Sequence, residues 1–168
     1  MTSEKVYRAF IVDDEPAVRH TVRHALRERP DIELSEFASG EECLKSLGTA
    51  PDMIILDYQL DPEGLNGMDT LLRIQATHPE IPVVFLSGQE KIGVAVEALK
   101  KGAVDYVVKN ALCGVHVRNS LDKVLESRRL KNELSEVKKA HARDRKRLAA
   151  MGLAVAATLT AFIWMLSN

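Results

Sequence analysis

Cysteine is scarce in this chain. Its 168 residues hold two, Cys43 and Cys113. They show no C-x-x-C spacing and no companion His/Cys cluster, which argues against a thiolate metal centre or a dithiol redox motif. Both fall in stretches expected to be helical, as packed, reduced thiols, and that suits a cytosolic domain. Met1 to Lys5 lacks the charged-then-apolar pattern of a signal peptide, so the body of the protein is expected to stay in the cytosol. Residues 1–122 carry no internal repeat and no low-complexity segment. The five histidines converge on nothing. His20 and His24 stand four apart on one expected helix, a spacing that could hold a metal, but no further ligand accompanies them. His141 lies in a basic run and reads as part of a solvated helix face.

What is present divides into three. Residues 1–122 hold 13 Lys/Arg against 20 Asp/Glu, residues 123–147 hold 10 against 4, and residues 148–168 hold none. The overall net charge of -1 hides this split between an acidic globule, a basic segment and an uncharged tail. With 46% apolar and 28% charged residues, most of the chain can form a packed core.

Within the acidic part, strand and helix patterns alternate five times. Tyr7 to Val12 reads as a strand, ended by Asp13-Asp14-Glu15-Pro16. Pro16 suits the first turn of a helix that runs to about Glu28 through Val18, Val22, Ala25 and Leu26. Ile32, Leu34 and Phe37 suggest a short outer strand. Ser39-Gly40-Glu41-Glu42 opens a second helix, which Gly48 is expected to end. Met53-Ile54-Ile55-Leu56-Asp57 is a continuous apolar run into one carboxylate, the pattern of a buried parallel strand. An irregular loop over 58–67 leads to a third helix with Met68, Leu71, Leu72 and Ile74. Pro82 to Leu86 is another buried strand, ended by Ser87-Gly88. A fourth helix carries Val94, Val96, Ala98 and Leu99 and closes at Gly102. Val104 to Val108 is the last strand, ended by Lys109-Asn110, and a fifth helix begins near Leu112. The pattern predicts an α/β fold, a five-stranded parallel sheet with helices on both faces.

In such a sheet the strand ends converge on one crevice. Asp57 alone could be a strand-ending carboxylate that starts a turn. Asp13, Asp14 and Asp57 together would crowd three like charges, which a hard divalent cation relieves, and oxygen ligands suit Mg²⁺. With Lys109 as a point charge and Ser87 as a hydroxyl donor, the set fits phosphoryl transfer onto the Asp57 carboxylate.

Five separated signals now agree in order: Val12-Asp13-Asp14-Glu15, Ile54-Ile55-Leu56-Asp57, Leu86-Ser87-Gly88, Ala95 to Ala103, and Asp105-Tyr106-Val107-Val108-Lys109. Over about residues 5–127 the chain resembles the receiver domain of bacterial two-component response regulators. The resemblance implies a flavodoxin-like (βα)5 fold with Asp57 as phosphoacceptor. It implies Asp14 and Asp57 as direct Mg²⁺ ligands, Asp13 mostly through water, and the backbone carbonyl of Gln59 as a further ligand. Ser87 would be the switch hydroxyl, Tyr106 the switch aromatic, and Lys109 the contact to a phosphoryl oxygen. The phosphoryl donor would be a sensor histidine kinase or phosphotransfer protein, with an output protein that the sequence does not name. The chain would be no enzyme beyond promoting its own Mg-dependent phosphorylation and dephosphorylation.

Two departures stand out. Asn110 replaces the proline that usually follows the lysine, where a cis bond is frequent; at a non-proline residue that bond costs about 3 kcal/mol. The loop after Asp57 is about two residues longer than usual near Asp61 to Leu65. Gln59 and Gln89 would flank the approach of attacking water.

Beyond the receiver, residues 128–147 read as a basic helical stalk. Leu130, Leu134 and Val137 fit a 3-4 spacing that His141 and Asp144 continue poorly, so a homodimer through the stalk is an option and a solvated helix the simpler state. Leu148 to Leu166 is uncharged and free of proline. As a helix it would be roughly 28 Å long, close to the ~30 Å hydrocarbon core. Lys146 and Arg147 precede it and Trp164 lies near its far end, the pattern of a C-terminal transmembrane helix with the receiver on the cytoplasmic side of the inner membrane and the basic run near anionic lipid. A soluble oligomerising helix is the alternative. No helix-turn-helix follows the receiver, so no nucleic-acid partner is expected. A phosphorylation-independent adaptor using the fold for docking is the competing function.

Overall fold

The computed structural model describes residues 6–60, 63–88 and 92–166, with the backbone alone at 92, 152–163 and 166. The expected alternation is there. β1 (Tyr7–Val12), β2 (Ile32–Phe37), β3 (Met53–Asp57), β4 (Val83–Ser87) and β5 (Asp105–Val108) form one parallel sheet in the order β2-β1-β3-β4-β5. Between them run α1 (Pro16–Leu26), α2 (Gly40–Ser46), α3 (Gly67–Thr77) and α4 (Ile92–Lys100), and α5 follows from Cys113 to Leu166.

Sheet position explains strand composition. β3 and β4 lie inside, covered on both faces, and every one of their residues is buried. β2 is an edge strand and only half-buried, which is why its apolar residues alternate with polar ones. Two core layers flank the sheet. One joins Phe10, Ile54, Leu56 and Phe85 to Cys43, Leu71, Ile74 and Ala98 from α2, α3 and α4. The other joins Ile11, Ile55, Val84 and Leu86 to Val22 and Leu26 of α1 and to Cys113, Val117, Leu121 and Leu125 of α5.

Caps bound the helices as local chemistry requires. Ser39 accepts from Glu42 N–H at α2, and Asn66 accepts from Asp69 N–H at α3. Gly48 does not end its helix in a left-handed turn. It lies in a short 3₁₀ turn (Leu47–Thr49), and the left-handed residue is Ala50, at φ 54°. Gly102 does close α4 as expected, at φ 105°.

By its internal contacts the chain divides into two units, after Leu125. In the second unit α5 is helical to Leu166, and Leu130, Leu134, Val137, Leu148 and Met151 are exposed. Among the described residues no helix is long and apolar enough to cross a membrane. The expected span at 148–166 falls mostly on 152–163 and 166, whose side chains lie outside the described residues.

Candidate functional site

β1 leads on to β2 on one side and β3 leads on to β4 on the other, so the connections diverge between β1 and β3 and leave a crevice at their carboxyl ends. Register then sets who meets whom. Val12 pairs with Leu56, Asp57 with Leu86, and Ser87 with Val108. Asp13, Asp57, Ser87 and Lys109 therefore stand at neighbouring positions along one sheet edge. Lys109 N–H donates to Ser87 carbonyl at 2.8 Å, and Tyr58 N–H to Leu86 carbonyl at 2.8 Å, which ties the ends together.

Asp13 and Asp57 are built alike. Each Oδ1 accepts the backbone N–H two residues on: Glu15 N–H to Asp13 at 3.0 Å and Gln59 N–H to Asp57 at 3.2 Å. Each Oδ2 is then turned into the crevice, where Lys109 Nζ lies 2.9 Å from that of Asp13 and 2.8 Å from that of Asp57. Both carboxylates are buried, at 0% and 1% exposure. Apart from Lys109, neither Oδ2 has a hydrogen-bond partner among the described residues.

Burial pushes the Asp57 carboxyl from an ordinary 3.8 up to about 6; Lys109 opposes the rise and the Asp13 charge adds to it. Asp13 is raised as well, by burial first, with Lys109 again working against it. For Lys109 burial disfavours the ammonium, but the two carboxylates outweigh it and the net shift is upward. Asp14 is exposed, and one carboxylate oxygen from each of Asp13, Asp14 and Asp57 lies within 4.8 Å of the others. Three carboxylates against one ammonium leave an excess of negative charge, and among the described residues the two buried Oδ2 oxygens share Lys109 as their one polar partner. Hard oxygen donors with that deficit fit a divalent cation such as Mg²⁺.

The other expected residues fall as follows. Ser87 is fully buried at the end of β4. Gln59 lines the same cavity as Asp14, Tyr58 and Asn66. Tyr106 is half-buried and packs against the core layer on the α2–α4 face. Gln89 lies outside the described residues, as do 61 and 62 of the longer loop. The described end of that loop is tied down by Glu41, whose Oε1 accepts Leu65 N–H at 2.8 Å. No cis peptide occurs among the described residues, so the Lys109–Asn110 bond is trans. Asn110 has its own use there: its side chain accepts Leu112 N–H at 2.9 Å and its carbonyl accepts Cys113 N–H, which starts α5. His20 and His24 stack with centroids 6.4 Å apart, and no third ligand joins them among the described residues.

Two residues near the site have no role in the sequence reading. Gly67, at the start of α3, runs so close to β3 that a Cβ there would lie 2.0 Å from the Asp57 carbonyl oxygen. Asn66-Gly67 at the end of a loop is the signal that could have found it. Arg19 of α1 donates from Nη1 to the Asp13 carbonyl at 2.6 Å and the Asp14 carbonyl at 3.2 Å. Nothing in the sequence marks it, because the contact depends on how α1 leaves the acidic turn.

An acidic crevice with one partly buried lysine, at the divergence point of a five-stranded parallel sheet, defines a class of phosphoryl-accepting signalling folds. The family profile of the response regulator receiver domain matches residues 9–113, and the chain belongs to that family. Receivers of this family accept phosphoryl groups from histidine kinases and bind Mg²⁺ through such an acidic cluster. The chain is 34% identical over 131 residues to the nitrogen assimilation regulatory protein NtrX of Azorhizobium caulinodans, covering 77% of this chain and 28% of that one. It is 35% identical over 108 residues to a protein-glutamate methylesterase/protein-glutamine glutaminase of Carboxydothermus hydrogenoformans, covering 62% and 31%. Among solved structures, the receiver domain of NtrX from Brucella abortus superposes with a TM-score of 0.65 at 30% identity, covering 70% of this chain and 98% of that one. The chain thus spans about a third or less of these curated relatives' length.

Proposed function

We propose that Asp57 accepts a phosphoryl group from a phosphohistidine on a sensor kinase or phosphotransfer protein, and that the modified receiver changes its affinity for an output partner. The observation that carries this is the Asp57 Oδ2, buried in the crevice with the Lys109 ammonium, 2.8 Å away, as its one polar partner among the described residues. In the transfer the carboxylate forms a bond to phosphorus while the phosphorus–nitrogen bond breaks, and the imidazole keeps the electron pair. Gln59 N–H orients the carboxylate, and Lys109 neutralises charge on the transferred oxygens. Asp13, Asp14 and Asp57, with the Gln59 carbonyl, would hold Mg²⁺, which when bound supplies the remaining positive charge. Ser87 and Tyr106 are the switch pair, a buried hydroxyl at the end of β4 and a half-buried ring on β5. The test is phosphoryl incorporation from acetyl phosphate or a kinase into the wild type and into Asp57→Ala. Equal labelling of the two sinks the proposal.

The same reading places the chain at the inner membrane, as a receiver over about 5–127, a basic stalk over 128–147 and an anchor over 148–166. Its support is the uncharged run of 148–166 directly after Lys146 and Arg147. Fractionation of the whole chain beside a 1–147 truncation tests it: the truncation should leave the membrane pellet, and its retention there without a membrane partner refutes the anchor.

A further inference from the structure

Arg19 and Glu36 lie behind the acidic turn, and the Arg19 side chain meets Asp13 and Asp14 at their backbone carbonyls. Arg19 Nη1 donates to the carbonyl oxygens of both Asp13 and Asp14, at 2.6 and 3.2 Å. Its side chain is 18% exposed, and its Nε stands 3.6 Å from Glu36 Oε2 of β2. Glu36, 21% exposed, also takes the guanidinium of Arg23 one turn further along α1. One planar guanidinium therefore spans the turn and the edge strand.

We propose that Arg19 is a positioning residue for the cation site, with Glu36 as its own support. The proposal rests on the reading of the acidic cluster as a divalent-cation site. The two carbonyls that Arg19 holds belong to the peptides on either side of Asp14. Fixing both peptide planes fixes the direction in which the Asp14 side chain leaves the backbone. Asp13 needs no such help, because it is buried and its Oδ1 accepts Glu15 N–H. Asp14 is exposed, and its backbone is the part of the cluster that a cation would otherwise have to order on binding. Outer groups that orient metal ligands commonly change affinity by about 10- to 100-fold when removed. A lysine carries the charge but not the planar fork, so it can replace only part of the function.

The experiment is Mg²⁺ titration by calorimetry of the full-length chain, as wild type, Arg19→Met, Arg19→Lys and Glu36→Gln. Arg19→Met should bind Mg²⁺ at least about tenfold more weakly. Arg19→Lys should recover part of that loss, and Glu36→Gln should show a smaller one. Urea midpoints with and without Mg²⁺ separate positioning from general stability: the Mg²⁺-dependent rise should shrink in Arg19→Met. The proposal is overturned if Arg19→Met binds Mg²⁺ equally or more tightly, the result expected were the guanidinium only a repelling charge. It is overturned as well if the midpoint falls equally with and without Mg²⁺. If Arg19→Met does not fold, Arg19→Lys and Glu36→Gln decide by the same comparison. A wild type that binds no Mg²⁺ would instead refute the cation reading itself, and the positioning role with it.

Discussion

Replacing Asp57 by Asn should stabilise the metal-free protein. Asp57 is 1% exposed, its Oδ2 has Lys109 as its one polar partner among the described residues, and burial raises its pKa from 3.8 to about 6. The folded state thus prefers the protonated carboxyl more than the unfolded state does. The stabilisation from that preference is complete below pH 3.8, falls as pH rises through about 6, and is gone above. At 1.36 kcal/mol per pKa unit the ionised carboxylate costs roughly 3 kcal/mol at pH 7.5. That figure is a ceiling, because Asp57 titrates together with Asp13. A buried amide carries its own desolvation cost, about 1 kcal/mol or more. Lys109 keeps Asp13 as a partner at 2.9 Å. The net gain expected is about 1–2 kcal/mol. Urea unfolding in EDTA at pH 7.5 measures it, followed through Tyr7, Tyr58 and Tyr106, which all lie in the first unit. Asp57→Asn should show a higher midpoint at unchanged slope and a flatter decline between pH 4 and 6. With Mg²⁺ added, the wild type should gain more than the variant. An Asp57→Asn midpoint equal to or below that of the wild type in EDTA refutes the reasoning.

Lys109→Met should have the opposite effect, leaving two buried carboxylates without their cation and destabilising the metal-free protein by about 3–5 kcal/mol; the same urea assay reads it, and phosphoryl labelling should fall with it. Gly67→Ala should cost about 1–3 kcal/mol and slow labelling of Asp57, because its Cβ meets backbone that cannot give way, at the Asp57 carbonyl and at Tyr58 Cα. Wild-type labelling kinetics from Gly67→Ala would count against that contact. Cys43 and Cys113 are buried, with burial pushing the Cys43 thiol up to about 12 and raising Cys113 too. Both should resist a thiol reagent in the native protein at pH 8, and rapid stoichiometric modification would show that these positions open to solvent.

Most of the fold was legible because buried strands announce themselves. Met53 to Asp57 and Val83 to Ser87 are continuous apolar runs, and only a two-sided core explains such runs. Their polar last residues marked the edge where the site lies. Helix ends were less legible. Gly48 invites a left-handed cap, yet the chain inserts a 3₁₀ turn and takes the left-handed conformation at Ala50. The Lys109–Asn110 bond stayed open from sequence alone, and the folded chain holds it trans. Gly67 and Arg19 went unread as well. Each matters through a backbone atom far from it in sequence or around a turn, and residue type does not encode those distances.

The sequence by itself determined which chemistry this protein carries: three acids, a hydroxyl and a lysine, all at or just past the ends of apolar strands, with period and composition enough to make those strands parallel. Only the tertiary structure decided the electrostatics. Strand register puts Lys109 within 3 Å of two carboxylates at once, while burial raises Asp57 to about 6 and leaves those two oxygens with Lys109 as their one polar partner among the described residues. Charge and hydrogen-bonding capacity are properties of residues. Their cost in a low-dielectric crevice is a property of distance and solvent exclusion, which exist only once the sheet has closed around them.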